Sequence, residues 1–133
     1  LTYDEAIKEL PLIHPTNYYV AVIECPIAPR DDKILNAIFG ETAINYIKDN
    51  YRKVKVVGVG PRAENIALGD ELWGSKNPCI ECLLYREINI WMYLDKKLIK
   101  TEELPYVMVG AHLHIVEKDF LERIDIILAS IKT

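Results

Sequence analysis

The spacing of apolar residues changes character four times along the chain. Ala6, Ile7 and Leu10 share one face of a short amphipathic stretch, Thr2 and Glu5 have the spacing of a capping box, and Pro11 stops it. The pattern predicts an N-terminal helical arm over residues 1–11. From Asn17 the run TNYYVAVIEC, bounded by Pro15 and Pro26, is aromatic and β-branched and predicts a strand with at least one buried face. Ile34, Leu35, Ile38, Phe39, Ala43, Tyr46 and Ile47 then recur at intervals of three and four, so residues 31–51 are expected to be helical. Asp31 and Asp32 suit its N-terminus, where carboxylates cap amides and oppose the dipole. Gly40 costs about 1 kcal/mol against alanine and offers a place for this helix to divide, which would leave Ile38 and Phe39 near an exposed tip.

The β pattern returns at Lys53 to Val59 and ends in Gly60-Pro61. The turn PRAENIALGD delivers Glu71-Leu72-Trp73 as a returning strand, with Gly69-Asp70 as its tight point. Three further extended candidates follow, at Cys82 to Arg86, Ile88 to Leu94 and Tyr106 to Val116, with Asp95-Lys96-Lys97 as a polar turn. The last segment, 118–132, is amphipathic: Phe120, Leu121, Ile124, Ile127, Leu128 and Ile131 form one stripe, while Ile126 falls outside it. Several short strands with turns between them predict a mainly β fold, a small partly closed barrel, because closure removes exposed strand edges. Helices are added at the N-terminus, in the 31–51 excursion and at the C-terminus. No repeat or linker divides the chain, so residues 1–133 are expected to form a single domain.

Composition narrows the function classes. A net charge of −4 without a clustered basic surface argues against nucleic acid as a partner, because neutralising phosphates needs grouped Lys and Arg. Arg52, Lys53 and Lys55, and Lys96, Lys97 and Lys100, are expected to be solvated strand edges or turns. No apolar run is long enough to span a membrane, and three cysteines fit a reducing compartment better than a disulfide framework. The expectation is a cytoplasmic protein, with a virion as the alternative.

Candidate chemistry is thin. Cys79 and Cys82 form one C-x-x-C, half of a zinc site, and the rest would have to come from Cys25, His14, or the pair His112 and His114. No metal or cofactor is expected, although a small zinc-stabilised domain stays among the alternatives. Ser75 and Ser130 are the only serines and no nucleophile motif surrounds either, so no catalytic residue is assigned. The G-x-G of VGVGPRAEN lacks the third glycine and following helix of a dinucleotide site, and predicts a turn.

The segment KVVGVGPRAENIALGDELW resembles the GroES-like co-chaperonin family. There a strand ends in a glycine-containing turn, a roof hairpin follows, and a G-D step leads into the next strand; here these are Val57-Gly58-Val59-Gly60 and Leu68-Gly69-Asp70. Upstream, IHPTNYYVAVIE looks like the family's opening strand, and the residues between Cys25 and Val54 occupy the place of its mobile loop. Downstream, YVMVGAHLHIVEKD resembles its closing stretch. The resemblance covers about two thirds of the chain and implies a divergent member of the kind a virus carries. It further implies a homo-oligomer, a heptamer if family-like, assembled through the first and last strands, with Tyr18, Val20, Val22, Leu113 and Ile115 at the subunit interface. The function implied is capping or docking to a chaperonin or larger assembly. Ile34 and Leu35, or Ile38 and Phe39, are the partner-binding anchors, since insertion into a helical groove needs adjacent apolar side chains. A structural assembly subunit without chaperone activity is the alternative.

Overall fold

In a computed structural model, residues 13–39, 41–76, 81–85, 87–107 and 118–132 are described. The expected N-terminal arm at 1–11 lies outside them. The elements in chain order are β1 (Tyr19–Glu24), α1 (Pro29–Ile38), α2 (Glu41–Asn50), β2 (Tyr51–Val59), β3 (Glu71–Ser75), β4 (Glu81–Tyr85), β5 (Ile88–Leu94), β6 (Leu98–Ile99) and α3 (Lys118–Lys132), with short 3-10 turns at Asp95–Lys97 and Thr101–Glu103. The strands form one antiparallel sheet in the order β4-β5-β1-β2-β3-β6. The mainly β reading with added helices therefore holds, but the sheet is not closed into a barrel; β4 and β6 end it.

The chain separates into two compact units, one containing the sheet (residues up to 26, and 50–99) and one containing the helices (27–49, and from 100 onward). In the sheet unit, β1 is a central strand. Val20 pairs with Val59 and with Tyr93, and Val22 with Val56 and with Trp91. Alternate β1 residues therefore enter two different cores: Val20 and Val22 pack with Val54, Val56, Leu72, Tyr93 and Leu98, while Ala21 and Ile23 pack with Ile90. A strand covered on both faces reads as a continuous apolar run, as YVAVI does.

The two glycines of VGVG have a packing reason. A Cβ on Gly60 would collide with the Asn17 carbonyl oxygen and lie 2.8 Å from that of Tyr19, and one on Gly58 would lie 2.6 Å from the Ile13 carbonyl. The chain entering β1 crosses these positions at backbone distance, which only glycine permits. Asn17 and Tyr19 then accept hydrogen bonds from the amides of Arg62 (2.9 Å) and Gly60 (2.8 Å).

Several expectations need correction. The helix over 31–51 is two helices, broken where Gly40 suggested. β2 begins at Tyr51, and β6 has no counterpart in the sequence reading. Tyr106 and Val107, expected to open a strand, are helical, continuing the turn begun at Thr101–Glu103; residues 108–117 lie outside the described set. Lys53 is buried, not a solvated edge: its ammonium sits 5.5 Å from the Trp73 ring centre, and the Arg52 guanidinium lies 3.5 Å over Trp91. Aromatic faces accept these cations where water is excluded.

Candidate docking site

The excursion between β1 and β2 is built from α1 and α2. Pro29 starts α1 with its φ already helical and no amide to leave unsatisfied. Asp31 and Asp32 follow in the first turn, not at the cap. Asp31 is buried and accepts a 2.9 Å hydrogen bond from the equally buried Thr101 hydroxyl. Arg30 reaches Glu102 at 2.6 Å, and Asp32 lies 3.4 Å from Lys48 of α2. These polar contacts tie α1 to α2 and to the segment that follows the sheet.

Below them, Ile34 packs with Ile124 and Leu128 of α3, joined at the margin by Ile38, Tyr106 and Ile131. The Tyr106 hydroxyl donates to Asp125. On α2, Ile44 and Ile47 are buried. Ile34 and Leu35 are themselves fully buried, so this pair belongs to the fold and is not presented as an anchor. Ile38 is half-buried. Phe39 closes α1 with its amide donating to the Leu35 carbonyl at 2.8 Å, its backbone turns to extended values, and it is likewise half-buried. Of the four expected anchors, only Ile38 and Phe39 stand at a surface, where α1 ends and before α2 begins.

The expected subunit-interface residues divide similarly. Val20 and Val22 are fully buried on a strand bonded on both sides, so β1 has no free edge to pair with a neighbouring chain. Tyr18 is 43% exposed just ahead of that strand. Leu113 and Ile115 lie outside the described residues, as do Cys79, His112 and His114. Cys25 is buried and its amide donates to the Lys53 carbonyl. Among the described residues no group of three or more His, Cys, Asp or Glu is gathered as a metal would need, and no helix is long and apolar enough to cross a membrane.

Sequence reasoning missed Asp95. It was part of a polar turn, yet it is buried and its carboxylate accepts from the amides of Glu64 (3.0 Å) and Lys96 (2.8 Å). An aspartate opening a turn is a signal for such local bonding, but nothing along the chain announces the long-range bond to Glu64. No protein-family model matches this chain, and no curated protein matches it in sequence.

Proposed function

We propose that this chain is a docking subunit of a larger protein assembly, co-chaperonin-like in its strand-turn-strand, which engages its partner through the corner at Ile38 and Phe39. The supporting observation is the state of that corner: Phe39 is half-buried where α1 ends, while Ile34 of the same helix is committed to a core and Ile38 packs only at its margin. An anchor fixed before binding loses little conformational entropy on docking, which favours affinity. The excursion occupies the position between strands where the resembled family carries its partner-binding loop.

Capture by purified chaperonin tests the reading. Wild-type protein should cosediment with the chaperonin rings, and Phe39→Asp should abolish capture with the sheet still folded by circular dichroism. Wild-type protein that neither cosediments nor self-associates would sink the proposal. The burial of Ile34 and Leu35 favours a second reading, in which the helices are permanent structure of an assembly subunit, as in a virion, without chaperone activity. In that case light scattering would give a defined oligomer while chaperonin-assisted refolding is unaffected.

A further inference from the structure

A half-open cleft of about 480 Å³ lies in the sheet unit, lined by Tyr18, Glu64, Leu94, Asp95, Lys96 and Lys97. Three segments meet here: the turn before β1, the turn after β2, and the corner after β5. Asp95 holds them in place. Its carboxylate accepts from Glu64 and Lys96, and its own amide donates to the Tyr18 carbonyl at 3.0 Å. The frame is therefore built before any ligand arrives. Its size falls within the roughly 300–1,000 Å³ of ordinary binding pockets.

The lining has an apolar part and a charged rim. Tyr18 and Leu94 offer an aromatic face and an aliphatic surface. Lys96 and Lys97 are exposed side by side, and neither forms an ion pair with another described residue. Of the two carboxylates, that of Asp95 accepts from the backbone amides of Glu64 and Lys96, so Glu64 adjoins Lys96 on the same acceptor and is the exposed opposing charge of the rim. We propose that this cleft receives an acidic peptide segment of the partner protein, with an apolar side chain against Tyr18 and Leu94 and carboxylates at Lys96 and Lys97. A half-open cleft suits a passing chain better than a small molecule, which needs most of its surface enclosed. The proposal rests on the docking role given above and adds to it a second contact of defined chemistry.

The test uses the free protein and three acetylated pentapeptides: Glu-Asp-Phe-Glu-Asp, its neutral counterpart Gln-Asn-Phe-Gln-Asn, and the basic Lys-Lys-Phe-Lys-Lys. Amide shifts followed by NMR should saturate with the acidic peptide at residues 18, 64 and 94–97. Affinity should fall about tenfold in Lys96→Glu/Lys97→Glu and decline with added salt, as charge-pair recognition does. Both lysines are exposed, so the variant is expected to fold, and an unchanged amide spectrum away from the cleft checks this. Absence of saturable shifts, equal binding of the neutral peptide, or an unchanged affinity in the double variant would overturn the proposal. No partner protein enters this titration, so a failed cleft and a failed docking corner show themselves in different experiments.

Discussion

The sheet unit and the helical unit are ordered by different means. In the first, β1 is bonded on both sides, two apolar cores line its faces, and a buried lysine and a half-buried arginine rest on tryptophan rings. In the second, the core of described residues around Ile34, Ile124 and Leu128 is smaller, and polar contacts at Asp31, Arg30 and Asp32 supply part of the ordering. A region with fewer buried apolar contacts opens at lower free energy than one crossed by a multi-strand ladder. The sheet unit is therefore expected to open last and the helical unit first.

Substitutions can break this contrast, and the largest effect is expected in the scaffold. Trp73→Ala removes a fully buried indole and should cost about 4 kcal/mol in denaturant unfolding followed through β-sheet circular dichroism. A loss near zero would show the sheet core to be poorly packed. Ile34→Ala should cost about 3 kcal/mol, read as faster amide exchange in α1 and α3 while β1 and β2 keep their protection. Equal acceleration in the strands would show that the two units open together. Gly60→Ala drives a methyl group into the Asn17 and Tyr19 carbonyls and should cost about 2 kcal/mol in the sheet unit. Thr101→Val deprives the buried Asp31 of a donor and should cost about 1.5 kcal/mol in the helical unit. Smallest is Arg30→Ala: its pair with Glu102 is exposed at the arginine, so thermal unfolding should register at most about 0.5 kcal/mol.

How much of this was legible follows from pattern length. The hairpin from β2 to β3 and the glycines before Pro61 were readable because a period-two run and a turn signal occur together. The division of the excursion was foreshadowed by Gly40. β6 has two residues, too few for any period to show. Tyr106-Val107 carries strand-type residues, and the helical turn begun at Thr101 overrode that local preference. Adjacent apolar residues such as Ile34-Leu35 and Ile38-Phe39 look alike in sequence; only tertiary packing distinguishes the fully buried pair from the half-buried one. The burial of Asp31 and Asp95 was hidden for a related reason, since an aspartate beginning a helix or turn has a sufficient local explanation.

Hydrogen exchange on the free protein separates a preformed helical pair ending at Phe39 from a loop that orders only on binding. A preformed pair gives clear protection at the amides of Leu35 and Ile47, weaker than that at Val22 and Val56. Exchange across residues 29–50 at the rate of an unstructured peptide, with the strands still protected, would contradict it.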